Sequence, residues 1–397
     1  MMAPTAPSSK TEHHSSISDT LSVMKHHRMS NLHNIISFFK KENLRAFFNT
    51  HQHLISPIAI ALGFIIDNFT LTRIDQTFDN LILITYLLIT TICVLFLHSH
   101  TTSFSKRLNL PRYHSLIFGI MNFGFGGLFS GFIVFYSRSA SILTGWPFVL
   151  LLLILMLGGE KYKRHYSNIT LQLSALYIAY FAYFIFLIPL LTNKLGTGMF
   201  LLSGLTSLLS IGGVLWILRR IDTEIVRVQL QMLISIILGI FLLFQFFYFT
   251  NIMPPIPLSL KYANVYQNVS RSNTNTYTLS YQATSWFNIF RKRSHQVDQQ
   301  TQKVFVFSAI FAPTDISTTL YHQWYHKGPS GWERTDKIAL PINGGRDDGY
   351  RGFTNKTNLT PGKWRVRITT ARNQELGRVR FTVTDTKRES KIRTEVR

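Results

Sequence analysis

The chain has 397 residues, 46% hydrophobic and 14% aromatic, with Phe alone accounting for 32. Only 15% are charged, well short of the roughly one quarter usual in soluble domains, which argues against an ordinary soluble globular protein. A net charge of +22 is a nucleic-acid signature only in a soluble chain; beside long apolar segments much of it reflects loop Lys and Arg that orient the spans, and no nucleic-acid partner is expected.

Residues 1–31, rich in Ser, Thr, His and Pro, read as a disordered polar tail. Over 32–50, Leu32, Ile35, Ile36, Phe39, Leu44, Phe47 and Phe48 recur at helical spacing around Lys40, Lys41 and Arg45. This is either an amphipathic interfacial helix on an anionic inner leaflet or a short soluble helix leading into the first span. The first 50 residues contain no short apolar run ending at a small-residue cleavage site, so no cleaved signal peptide is expected.

Residues 51–252 read as a seven-helix transmembrane domain, with spans at 54–71, 79–98, 115–136, 139–158, 171–191, 199–218 and 230–250. Twelve Lys/Arg flank the spans on one side: Lys40, Lys41, Arg45, Lys106, Arg107, Arg112, Lys161, Lys163, Arg164, Arg219, Arg220 and Arg227. Only Arg73, Arg138 and Lys194 flank them on the other. By the positive-inside rule the N-terminus is cytoplasmic and the C-terminal part periplasmic, in a multi-pass inner-membrane protein. Spans three and four are separated only by Ser137 and Arg138; joining them would invert every later loop charge.

Polar residues within the spans are few. Asp67 and Asn68 lie near the end of span one, while Asn122, Gln172 and Gln245 are isolated, and the mid-span carboxylate expected of a proton-coupled pump is missing. Gly124, Gly126, Gly127 and Gly131 form a small-residue face that reads as close helix packing rather than a pore. The single cysteine, Cys93, lies in a span, so the C-terminal region cannot hold a disulfide.

Met253-Pro254-Pro255-Ile256-Pro257 opens a linker, 253–302, that includes Trp286–Phe290 beside Arg291, Lys292 and Arg293. That cluster either docks on headgroups or packs as a satellite element. From Lys303 the period becomes two. Val304–Ile310, Thr318–His326, Trp332–Pro341, Tyr350–Thr354, Trp364–Thr369 and Arg378–Val383 are short runs separated by Gly/Pro/Asn turns. They predict a small all-β, Ig-like antiparallel sandwich over 303–385, followed by a basic tail, 386–397. From Met253 onward, 23 Lys/Arg face 10 Asp/Glu.

Two constellations in this domain carry chemistry. His322, Trp324 and His326 alternate and so share one face of a strand. His322 and His326 are about 13 Å apart at roughly 3.3 Å per residue, too far for one metal ion. The face is either an aromatic platform for a sugar or the domain core around Trp324. In the last two strands, Lys363, Arg365 and Arg367 face away from Trp364, Val366 and Ile368, and Arg378 and Arg380 face away from Val379, Phe381 and Val383. A hairpin through Thr370–Leu376 would align Arg365, Arg367, Arg378 and Arg380, with Arg388, Lys391, Arg393 and Arg397 extending the patch. Like charges opposed in a sheet repel; the face either takes an anionic partner or is solvated and screened. Gly344, Gly345, Gly349 and Gly352 around Arg346, Asp347, Asp348 and Arg351 read as a turn, and Asp347-Asp348 is a weak calcium signal.

Four segments resemble a bacterial envelope family. Tyr321–Gly328 resembles its "yHxWyxxG" strand and Arg351–Lys356 its "R-x-aromatic-S-x-K" segment. Pro361–Val366 resembles "pGxWrV", and Gly377–Val383 resembles "GxxxFxV". They are similar to the domain of unknown function 2914, over about 80 residues from Val304 to Val383. The Arg346-Asp347-Asp348 turn departs from that pattern. The resemblance implies a domain type that often follows a multi-span region, and it implies no reaction.

No nucleophile triad, metalloprotease motif, P-loop or dinucleotide fingerprint is present, so neither an enzyme nor a cofactor or metal is expected. The reading is an envelope protein whose β-domain binds an anionic lipid, lipopolysaccharide or glycan through Arg365, Arg367, Arg378 and Arg380, with Trp324 and His322 as a second site. A membrane-protein partner fits the same placement. The alternative is a transporter or channel with the β-domain as a gating or assembly module.

Overall fold

The computed structural model describes residues 64–71, 76–99, 110–139, 142–161, 168–221, 223–255, 257–272, 276–282, 295–298, 303–313, 316–344, 349–384 and 392–397. The expected tail at 1–31, the helix at 32–50, the 286–293 cluster and the Arg346–Asp348 turn lie outside the described residues.

A helical stretch at 64–70 is followed by α1 (Thr77–Leu97), α2 (Leu110–Ser139), α3 (Ile142–Lys161), α4 (Ile169–Thr192), α5 (Thr197–Ile221) and α6 (Thr223–Phe249). Among the described residues five segments are long and apolar enough to cross a membrane: Thr77–Leu97, Leu116–Ser139, Ile169–Thr192, Thr197–Ile221 and Gln229–Phe249. Within α3 the described residues Gly145–Met156 form a further apolar helical stretch. Large apolar side chains such as Phe123, Leu209, Trp216 and Phe246 are exposed on the helices, the surface expected where lipid replaces water as solvent. These features are those of a membrane protein.

Helix α4 is buried on nearly every side from Leu173 to Tyr183, whereas α5 buries a single stripe through Ser203, Ser207, Ile211 and Val214. A helix apolar all round belongs at the centre of a bundle. The Asn168 side chain caps its first turn, accepting from the Thr170 N–H at 3.1 Å. At the other end Asn193 takes a left-handed conformation, φ 53°. The glycine face of α2 divides in two: a Cβ on Gly127 would stand 2.6 Å from the Tyr86 ring and one on Gly131 2.8 Å from Leu83, while one on Gly126 would meet nothing within 4 Å. Gly127 and Gly131 therefore let α1 and α2 approach closely. The expected isolation of Gln172 also needs correcting, because its Oε1 lies 2.9 Å from His98 Nε2.

The C-terminal region contains β1 (Ser259–Tyr266), β2 (Asn268–Arg271), β3 (Tyr277–Gln282), β4 (His295–Asp298), β5 (Lys303–Phe311), β6 (Ser317–Gly328), β7 (Gly331–Asn343), β8 (Tyr350–Thr357), β9 (Gly362–Thr370), β10 (Glu375–Thr384) and β11 (Ile392–Val396). Three sheets form, in the orders β1-β5-β8, β4-β10-β9-β6-β7 and β11-β3-β2. The first two share one core, in which Val304, Val306 and Ile310 meet Leu320, Trp324, Trp364, Val366 and Phe381. On the other face of β5 and β8, Phe305, Phe307 and Phe353 pack against Tyr266, Tyr277 and Leu279 beside the third sheet. Among the described residues, all pairings are antiparallel except that of β4 with β10.

Two boundaries differ from the sequence reading. The segment expected as a linker, 253–302, supplies β1 to β4, and the expected basic tail supplies β11, which pairs with β3. The reason is visible in β1: Val265 and Tyr266 are buried, and the strand completes a ladder along β5 from Ser259↔Phe311 to Tyr266↔Phe305. Polar composition disguised strands in which a few Tyr, Val and Leu side chains are set among Asn, Ser, Thr and Gln.

Candidate functional site

The five-stranded sheet has one face in the core and one turned outward, and alternation along β6 assigns each side chain to one of them. His322 and Trp324 fall on the core face and are fully buried. They form no exposed aromatic platform, because Trp324 packs edge-on against Phe381 at 6.2 Å and 84°. His322 bridges the sheets. Its Nε2 lies 2.9 Å from Ser308 Oγ on β5, and its Nδ1 lies 2.9 Å from Thr354 Oγ1 on β8. A neutral imidazole satisfies both hydroxyls with one donor and one acceptor, and burial pushes its pKa down to about 4. His326, near the edge, rests against Trp364 at 4.8 Å.

The outward face carries the arginines. β9 and β10 pair so that Arg378 stands opposite Arg367 and Arg380 opposite Arg365. A register shift between Glu375 and Gly377 breaks the alternation, so that Leu376 is buried while the Glu375 carboxylate reaches the arginine face. The Glu375 side chain is 1% exposed; it accepts from Arg367 Nε at 2.7 Å and Arg378 Nη2 at 3.0 Å, and forms a further ion pair through Arg378 Nε. Among the described residues, no carboxylate pairs with Arg365 or Arg380.

Aromatic rings hold Arg365 in place. Its guanidinium lies 4.5 Å from the Trp332 ring and 4.8 Å from the Tyr325 ring. Its Nε is buried without a hydrogen-bond partner. Burial, and then the charges of Arg378 and Arg367, lower its pKa. Tyr325 is fixed in turn, donating to Gln323 Oε1 at 2.8 Å, while Gln323 Nε2 donates to Thr369 Oγ1 at 3.0 Å and Asn373 Oδ1 at 2.7 Å. Arg380 is exposed at the outer end of the same ladder. A stacked, partly desolvated guanidinium with a second one beside it suits a phosphate or carboxylate, and the flanking indole and phenol rings suit the face of a sugar.

Three contributors went unread in the sequence. Tyr325 and Trp332 belong to the face, but Tyr325 was absorbed into the His-Trp-His strand. Glu375 looked like a turn residue; the Gly377 that follows it is the available sign of a bulge. Of the C-terminal cations expected to extend the patch, Arg393 instead pairs across β11–β3 with Tyr281 and Arg397 stacks 3.8 Å from Tyr262 while bonding Glu395, and Arg388 and Lys391 lie outside the described residues.

The molecule is thus a helical membrane protein carrying a C-terminal β-domain with a basic, aromatic outer face. Residues 317–383 match the family model for DUF2914, a protein family of unknown function, and the C-terminal domain is of that type. The match spans β6 to β10 and contains the whole arginine face; β1 to β5 and β11 fall outside it. No curated protein matches. Among solved structures, the chain is similar to the alkylpurine DNA glycosylase AlkC of Pseudomonas fluorescens, bound to DNA containing an abasic-site analogue, at 9% identity over 79% of this chain and 99% of that one. The TM-score is 0.20, so the likeness carries no argument about fold or function.

Proposed function

We propose that this chain is a multi-pass inner-membrane protein with seven crossings and a cytoplasmic N-terminus, displaying an Ig-like β-sandwich in the periplasm that binds an anionic envelope component. The observation that carries the reading is that, of four aligned arginines, one buried carboxylate pairs with only two. Glu375 serves Arg367 and Arg378, which leaves Arg365, held between two rings, and the exposed Arg380 to an outside anion. The one-sided loop charge supports the orientation. Phosphate-bearing lipopolysaccharide or phospholipid fits the guanidinium pair better than a neutral glycan does.

The test uses the full chain in zwitterionic nanodiscs, with binding of lipopolysaccharide, phosphatidylglycerol vesicles and a neutral glycan measured at low and high salt. Arg365→Gln with Arg380→Gln should weaken anionic binding at least about tenfold, and high salt should do the same. Unchanged affinity in the double variant sinks the assignment. A transporter with a gating β-domain draws on a separate observation, the stacking of Arg372 on α6 at 3.9 Å from Tyr248; solute flux into proteoliposomes that responds to changes at Arg372 would favour it.

A further inference from the structure

The β9–β10 hairpin tip descends onto the ends of α4, α5 and α6, and a cavity of about 170 Å³ remains at the junction. Its helical side is apolar, with Ile185, Pro189 and Phe200; its strand side is polar, with Thr318, Thr370 and Gln374. Among the described residues that line it there is no Asp or Glu, and Arg372 alone is charged. The Arg372 guanidinium stacks 3.9 Å over Tyr248, and Tyr248 stacks on Phe200 at 3.8 Å and 3°. Arg372 Nη2 donates to the Tyr248 carbonyl at 3.5 Å, while Nη1 is buried with no partner among the described residues. A buried guanidinium N–H left unpaired is costly, so an acceptor belongs there.

The setting narrows what that acceptor is. The cavity lies where three helices long and apolar enough to span a membrane end, the depth at which lipid phosphates sit. A cavity of roughly 150 Å³ holds a benzene-sized molecule, so this one admits a single headgroup and not a whole lipid, whose chains would follow the apolar helix side. We propose that the cavity seats the phosphate headgroup of an anionic bilayer phospholipid on Arg372, as a structural lipid between the helices and the β-domain. The site is separate from the arginine face and stands whether or not that face binds an envelope ligand.

Native mass spectrometry of the full chain in mild detergent would count retained lipid, with thermal melts on addition of phosphatidylglycerol, phosphatidylcholine or inorganic phosphate. One retained phosphatidylglycerol per chain is expected, together with a higher melting midpoint that phosphatidylcholine and free phosphate do not reproduce. Arg372→Gln should weaken retention at least about tenfold, whereas Arg365→Gln with Arg380→Gln should leave it intact. Because R372Q also removes a stacking contact, Ala371→Trp serves as the second variant: it narrows the cavity from an exposed hairpin position and keeps the arginine. Equal stabilisation by phosphatidylcholine, an equal response to inorganic phosphate, or retention unchanged in both R372Q and A371W would overturn the proposal.

Discussion

The helical bundle and the β-domain solve the problem of burial in opposite ways. The bundle fills its interior with rings: Phe148 meets Phe244 at 5.5 Å, Phe244 meets Phe181 at 4.5 Å, and Phe181 meets Phe200 at 5.7 Å. Its helices satisfy their own backbone groups, and side-chain pairs such as Thr91 with Tyr180 at 2.8 Å and Thr170 with Gln229 at 2.8 Å tie one helix to the next. The β-domain adds titratable and amide groups buried at decisive places: His322 between two sheets, Gln323 bonded to Tyr325 and Glu375 paired with two arginines. Shape governs the first region and polar satisfaction the second.

The largest test of that contrast removes the inter-sheet imidazole. His322→Ala leaves the buried Ser308 and Thr354 hydroxyls unpaired around a cavity and should cost the β-domain about 4 kcal/mol, read as an earlier loss of β-sheet circular dichroism on heating. Acid probes the same residue. The folded-state pKa of His322, about 4, lies below its ordinary 6.5, so folding favours the neutral ring. Its contribution is full above about pH 6.5 and is lost as pH falls from there toward 4, amounting to about 3 kcal/mol. In His322→Gln that part of the pH dependence should vanish, and a slope equal to wild type would show that another group titrates.

Breaking the ion pairs at Glu375 comes next. Glu375→Gln should cost about 2 kcal/mol, below the figure for a fully buried pair because both arginines are partly exposed. It should also tighten anion binding by the arginine face, since an internal competitor is gone; weaker binding would mean that Glu375 positions the arginines for the ligand. The bundle gives the smallest effects and the sharpest control. Gly127→Ala drives a methyl into the Tyr86 ring and should cost roughly 1–2 kcal/mol, whereas Gly126→Ala, one residue away and facing open space, should stay within about 0.5 kcal/mol. Equal effects at the two glycines would deny that α1 and α2 pack through one side of α2.

Much of this was legible in the chain itself. Apolar runs long enough for a bilayer mark the helices, period-two runs mark β5 to β10, and the spacing of Arg365, Arg367, Arg378 and Arg380 puts them on one side of a hairpin. These features are local, because side-chain direction in a strand and length in a helix follow from the backbone repeat alone. The tertiary structure decided the rest. It made strands of a Tyr- and Asn-rich segment because β5 offered it a ladder, and it sent His322 and Trp324 inward because a second sheet covers their face. A bulge turned Glu375 toward the arginines, and Arg372 was placed on Tyr248, 124 residues away in sequence. Each of these depends on which distant segment lies opposite, and no repeat within a segment encodes its partner.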